Sequence, residues 1–400
     1  MWHPRSLPTP RRALAPTAPS RLPLLALWAS ALGCGTPVTP EEEPRSPAAA
    51  TAAPEADVVP PAPRTNPLGI PPGPDCRTER WPVETPWNVL AAHVVAGQAD
   101  ATMRADLRTL GEWVRTGLLP GPWTDQVHGP LISTDGVDFG SDGAAPVLDH
   151  ASVPAVTEGP DGAIWLFFVD TDFGHLLEAA EAGRPLSTGV VGVGGLGAAR
   201  SEDGRHFERV GLSFSGEGPL YMVDPDIQAL PDGTWRMVFF GAPADQVCRD
   251  EMDPARSARP HAAYTAVSTD LVHWTHEGVA FTATAGGTDP TIWCEEPPRC
   301  ALYLGGGAAS GDGGRSFEAV EMWMPTPEIT SPDVVATAAG WRMLYLERTQ
   351  MKAAVSTDGR TWTDAGAVPV RGADPTLLRR GDAVWLYVKA KGPTGAGAPR

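Results

Sequence analysis

The sequence has little with which to grip nucleic acid, hold a metal or carry a nucleotide. Lys and Arg number 31 against 48 Asp and Glu, a formal charge of −17, which argues against a basic face for nucleic acid or anionic lipid. There are five cysteines and no C-x-x-C or Cys/His cluster, so the usual zinc frameworks are excluded. No G-x-S-x-G elbow, P-loop or dinucleotide fingerprint occurs; no metal and no cofactor is expected. Long apolar runs are missing too. The run from Leu22 to Leu32 is too short to span a bilayer as a permanent helix.

That run follows Arg5, Arg11, Arg12 and Arg21 and ends in Gly33-Cys34, so residues 1–33 read as a targeting segment outside the fold. Without those arginines the formal charge is −21. Small residues before Cys34 resemble the lipobox of bacterial lipoproteins, which implies lipidation of Cys34 and a membrane partner reached through that anchor. An ordinary secretory peptide cleaved nearby is the other reading, and both put the protein outside the cytoplasm. Gly35 stands where an aspartate retains some lipoproteins at the inner membrane. The expected address is the cell envelope, at the outer membrane or cell surface. Residues 34–75, rich in Pro, Ala, Thr and Glu, cannot bury enough surface to offset their ordering entropy and are expected to form a disordered tether.

Beyond the tether the chain repeats. The unit VDPDIQALPDGTWRMVFFG from Val223 reads as a β-hairpin turning at Pro231-Asp232-Gly233. Variants begin at Ser152, Thr288, Thr330 and Ala373. A second unit alternates with it: SEDGRHFERVG from Ser201, STDLVHWTHEG from Ser268, SGDGGRSFEAV from Ser310 and STDGRTWTDAG from Ser356. Its serine and aspartate can cap backbone N–H groups inside a tight turn, which accounts for their recurrence without chemistry. The fifth copy, LISTDGVDFGSDG from Leu131, lies at the start of the repeats. The first and last segments should therefore pair and remove two exposed sheet edges. The expected fold is all-β, a five-bladed β-propeller over 128–393 closed by its N- and C-terminal segments, with a tail at 394–400. Over 76–127, Trp87, Leu90, Ala91 and Val94, then Met103, Leu107, Leu110 and Val114, recur at helical spacing. They predict one or two helices covering the propeller's outside or bottom.

In an exported chain, four cysteines beyond Cys34 favour disulfides and allow three connectivities. Cys294 and Cys300 fall in the two strands of one predicted hairpin, which leaves Cys76 for Cys248.

The first residues of the innermost strands converge on one mouth of a propeller. Here they are Val153, Asp224, Asp289, Ser331 and Asp374, each before a proline. Facing carboxylates are the equipment of glycoside hydrolysis, although Asp before Pro also caps a strand start. The blade number, the D-P strand starts and the S-x-D-G-x-x-[FW] turns resemble the arabinanase, levansucrase and invertase superfamily, which includes glycoside hydrolase family 43. That resemblance, over about Gly129 to Gly392, implies an Asp opening blades one and two and a Glu opening blade three. Asp224 matches; blade one has Val153, which cannot act as a base, and blade three has Asp289. Asp149 and Glu295, or its neighbour Glu296, are the substitutes considered. His150, Ser331 and Asp374 are candidate sugar contacts at the mouth, and Trp293 a candidate stacking platform. The turn at Ser310 also fits the sialidase Asp-box, but no arginines gather at blade starts. Two functions follow: an exported lipoprotein acting on or recognising carbohydrate at the mouth, or a catalytically inactive propeller that binds glycan or a protein partner of unstated kind.

Overall fold

Strands in this chain start and stop where the repeats place Pro, Gly and Asp. The computed structural model describes residues 90–392 apart from 91–92, 95–96, 117–122, 141–142, 184–194, 220, 243–260, 284–288 and 297–298. The leader, Cys34, the tether, Cys76, Cys248 and the tail at 394–400 lie outside the described residues.

Two strands come first, β1 (Asp125–Ser133) and β2 (Pro146–Asp149). Blade one is β3 (Ala151–Glu158), β4 (Ile164–Asp170), β5 (Leu196–Ser201) and β6 (Glu208–Val210). Blade two comprises β7 (Ser213–Ser215), β8 (Tyr221–Ala229), β9 (Trp235–Ala242), β10 (His261–Ser268) and β11 (His273–Ala283). Blade three holds β12 (Thr291–Glu296), β13 (Arg299–Tyr303), β14 (Gly307–Ser310) and β15 (Glu318–Ala319), and blade four β16 (Ile329–Thr337), β17 (Gly340–Glu347), β18 (Gln350–Ser356) and β19 (Thr363–Ala367). Blade five takes β20 (Ala373–Arg380) and β21 (Ala383–Lys391) from the end of the repeats, and β1 and β2 from their start.

The expected closure is therefore present. β1 pairs antiparallel with β21, Asp125 opposite Lys391 and Ser133 opposite Val384. Innermost strands touch in the order β3, β8, β12, β16, β20 and back to β3, which completes a five-bladed propeller. Blade two departs from the four-strand plan, because β7 adds to it in parallel beside β11.

Five polar turns tie each blade at the end opposite the inner-strand starts. In each, the serine hydroxyl donates to the aspartate two residues on, as in Ser133–Asp135, Ser201–Asp203, Ser268–Asp270, Ser310–Asp312 and Ser356–Asp358. Each carboxylate in turn accepts two backbone N–H groups, for instance Thr361 N at 2.7 Å and Arg360 N at 2.9 Å on Asp358. The turn at Ser310 is one residue longer, so Gly314 donates to Ser310 Oγ where its counterparts sit three residues on. A glycine is needed twice over at Gly204: its φ is +73°, and a Cβ would lie 2.5 Å from the Trp385 ring. Blade two instead places Leu271 in the left-handed region, φ 66°, fully buried in the core.

The predicted helix is α1 (Ala101–Arg115), capped by Asp100, whose carboxylate accepts Met103 N at 2.9 Å. Met103, Leu107, Leu110 and Val114 are its buried face. It packs on α2 (Phe173–Glu181), which leaves blade one after β4, at the end where the inner strands start. The buried Leu176, Ala179 and Ala180 of α2 supply the apolar surface that α1 needs.

Cys294 and Cys300 face each other across β12 and β13 and form a disulfide. Closing so short a loop is worth about 2 kcal/mol by chain entropy. Replacing both with serine should lower the unfolding free energy in urea by that amount; an unchanged midpoint would contradict it.

Candidate functional site at the propeller mouth

Five residues, one per blade, share an uncommon backbone. Val153, Asp224, Asp289, Ser331 and Asp374 have φ of 47°, 53°, 58°, 46° and 45°, the left-handed region that L-residues other than Asn and Asp avoid. The cause lies in the next residue. Proline has no N–H to give the ladder and a fixed φ, so the inner strand bulges around it, with register shifts at 152/155, 223/226, 330/333 and 373/376. For the β-branched Val153 this conformation is strained, and it persists because the surrounding ring fixes it.

A cavity of about 20 Å³ opens at the centre of these starts, lined by Val153, Asp289, Ser331, Asp374 and the prolines that follow them. Asp224 shares the backbone geometry, but the wall on its side is made by Pro225 and Asp226. Four of the five strand starts thus line the cavity, and Asp224 stands one residue before its wall. The volume is near the ~10–15 Å³ that one water occupies.

Its electrostatics are those of a crowded ion cluster. Ser331 Oγ donates to Asp289 Oδ2 at 3.0 Å. Lys389, on β21, ion-pairs with Asp374. Burial pulls the Lys389 ammonium down, but the charges of Asp374, Asp125 and Asp289 outweigh it and hold the group above the ordinary lysine value. Asp125, fully buried at the start of β1, accepts Ser152 Oγ at 2.8 Å and pairs with Lys391 at 2.6 Å.

Just below lies a second ring, formed by the residues after the prolines. Asp226 accepts Thr291 Oγ1 at 2.8 Å and Ile292 N at 2.7 Å from blade three. Asp333 accepts Leu377 N at 2.6 Å from blade five and Val334 N of its own strand at 2.6 Å. Thr376 Oγ1 accepts Val156 N at 2.9 Å from blade one. These side chains carry hydrogen bonds from blade to blade where no sheet ladder does. Burial raises both carboxyls, and the charge of Asp226 raises Asp333 further, well above the usual carboxylate range. Below them the channel widens to about 300 Å³, lined by Thr157, Gln228, Ala336 and Trp341 among others.

Four candidates fall away from the mouth. Glu295 sits six residues along from Asp289, roughly 20 Å at strand rise, exposed beside the blade-four turn at Gly359; the strand direction carries it to the opposite end. Trp293 is 1% exposed and packs edge-on against Trp362, centroids 6.1 Å apart, so it is core and offers no stacking face. Asp149 ends β2 on the outer side of blade five, where its carboxylate accepts Gln126 Nε2. His150 lies beside it, Nδ1 2.8 Å from Trp123 O. Both line a separate cleft and not the mouth. Nothing is described of the Glu296 side chain. Asp170 pairs with Arg209 at 3.0 Å and Asp226 is taken by Thr291 and Ile292 N; among the described residues no three His, Cys, Asp or Glu groups converge as metal ligands.

No protein-family model and no curated protein sequence matches the chain. Solved structures do. One is a family 117 glycoside hydrolase of the marine bacterium Zobellia galactanivorans, 12% identical over 62% of this chain and 90% of that one, TM-score 0.41. Another is an exo-β-1,3-galactanase of Phanerochaete chrysosporium solved with galactose, 11% identical over 65% of this chain and 64% of that one, TM-score 0.44. A third is a GH43 β-1,3-galactosidase with galactodeoxynojirimycin, 10% identical over 60% and 90%, TM-score 0.41. These are the kind of protein the strand starts and turns resemble. At this identity and superposition they assign no residue role here.

Proposed function

We propose that this is a carbohydrate-recognising propeller of the cell envelope, exported and held at the membrane by a lipid on Cys34, with its mouth as the point of sugar contact. The observation that supports it is the ring of left-handed blade starts, which aims Asp289, Ser331 and Asp374 into one small cavity. Carboxylate and hydroxyl oxygens accept the hydroxyl protons of a sugar laid across the opening. A mouth of this size receives those hydroxyls and leaves the ring outside.

Recognition fits the residues better than hydrolysis. Hydrolysis takes a carboxyl that gives a proton and a second that acts as base or nucleophile, with the glycosidic bond between them. Val153 supplies neither role, and Asp149 and Glu295 lie elsewhere. Asp374 is committed to Lys389. Hydrolysis by Asp224 with Asp289 is the second reading, favoured by the presence of carboxylates at three of the five equivalent starts.

The full-length protein should be incubated with plant and bacterial glycans and assayed both for binding and for released sugar. Binding without release is the expected result. Release that disappears in Asp224→Gly and Asp289→Gly, with folding retained, would replace recognition by hydrolysis. Glycine is chosen because it removes the side chain while keeping the left-handed φ.

A further inference from the structure

The mouth has a neighbour that is far larger. A cleft of about 910 Å³ opens between blades five and one, walled by Thr124, Gln126, Asp149, His150, Phe207 and Arg209. That is within the roughly 300–1,000 Å³ of small-molecule sites, and none of the functions above uses it.

Its position is fixed by the closing strands. Thr124 and Gln126 flank Asp125, and alternate residues of a strand face opposite sides, so Asp125 meets the mouth cluster at Ser152 and Lys391 while its neighbours line the cleft. His150 likewise stands three residues before Val153. Gly392 closes the cleft floor: its N–H donates to Thr124 O at 2.7 Å, and a Cβ would stand 2.5 Å from that oxygen.

The cleft is built, with its polar groups held in place. Arg209 is anchored by Asp170 at 3.0 Å, by the carbonyls of Asp149 and His150 at 2.8 and 3.2 Å, and by the Phe168 ring at 5.0 Å. The carbonyl of Trp123 fixes the His150 proton on Nδ1, which makes Nε2 the acceptor of the neutral ring. Phe207, half-buried and edge-on to Tyr387, adds an apolar patch. Since Asp170 balances Arg209, the carboxylates of Asp149 and Asp172 leave the cleft acidic, which disfavours anionic ligands.

We infer that this cleft is a second saccharide-binding site, holding the body of a neutral glycan whose neighbouring unit sets its hydroxyls into the mouth. The inference rests on the carbohydrate reading of the mouth and deepens it. A mouth of about 20 Å³ cannot contain the ligand it contacts. The adjoining cleft has the volume and the mixed donor, acceptor and aromatic lining that a sugar chain requires.

The test is titration calorimetry of the full-length protein with mono- to pentasaccharides of β-1,3-galactan, α-1,5-arabinan and β-1,4-xylan. Two variants address the cleft: Thr124→Trp, which fills it, and Asp149→Ala, which removes an exposed acceptor. Each should weaken the longer saccharides by about tenfold, the worth of one charged hydrogen bond, and leave monosaccharides unchanged. Asp289→Gly should weaken all lengths. Cleft variants without effect at any length overturn the cleft and leave the mouth standing. An effect of Thr124→Trp but none of Asp289→Gly overturns the mouth reading and, with it, a shared ligand. No binding of any saccharide overturns both.

Discussion

Trp293→Ala will destabilise the propeller by about 3–5 kcal/mol, the usual cost of emptying a buried aromatic site, and will leave carbohydrate affinity of the folded protein unchanged. Trp293 fills the space between blades three and four, against Tyr303, Met343, Tyr345 and Trp362. The turn glycine of blade four, Gly359, is tailored to it: a Cβ there would lie 2.9 Å from the Trp293 indole nitrogen. Alanine leaves a cavity that packed strands cannot collapse. Chemical denaturation gives the free energy, and Trp293→Phe should recover most of it. A variant of wild-type stability that has lost sugar binding would return Trp293 to the site.

The second large effect belongs to Asp333. Asp333→Ala orphans the N–H groups of Leu377 and Val334, each worth about 1–3 kcal/mol when left buried and unpaired. Relief of repulsion from Asp226 offsets part of this, so a net loss of about 2 kcal/mol is expected, measured by urea unfolding at neutral pH. The pH dependence has a definite sign. Because the folded carboxyl is raised, its contribution is fully present below the unfolded value of about 4 and is lost as pH rises through the folded value. The turn aspartates act the other way. Backbone N–H donors hold Asp358 down at about 2, and against the opposing effect of burial the Ser310 and Ser316 hydroxyls, with backbone N–H groups behind them, hold Asp312 at about 2. Their contribution is present above about 4 and is lost as pH falls toward 2. Thermal unfolding of the wild type and Asp333→Asn at pH 4.5 and 7.5 separates the two groups. The variant should show the smaller loss on going to pH 7.5; parallel losses would remove the buried pair from the account.

The fold was legible because backbone chemistry repeats in the letters. A Ser-x-Asp turn needs its oxygens to cap N–H groups, and a strand bulged around proline needs the residue before it left-handed, so both motifs recur in every blade. The displaced copy at Leu131 then announced closure. The mouth was legible to the same extent, as five aligned positions. The blade-to-blade role of Asp226, Asp333 and Thr376 escaped because their partners lie in the next blade. A signal existed nonetheless: the residue after proline is Asp, Thr, Asp or Thr in four of the five inner strands, a place where a buried strand would otherwise be apolar. Lys389 and Asp125 carried no such mark: ring closure brings Asp125 to Lys391, and the register of the β20–β21 hairpin sets Lys389 beside Asp374. Glu295 and Trp293 were misplaced for one reason. They stand six and four residues beyond Asp289, near the mouth in sequence, whereas the strand runs away from it.

The central claim is that sugar is recognised at the mouth. The direct measurement is calorimetric titration of wild type and Asp289→Gly with the tightest-binding saccharide, beside their melting curves. Asp289 accepts the Ser331 hydroxyl at the opening, so its loss should weaken binding by at least about tenfold, as for a lost hydrogen bond to a charged group, with little change in melting. Equal affinities in the two proteins would contradict the claim.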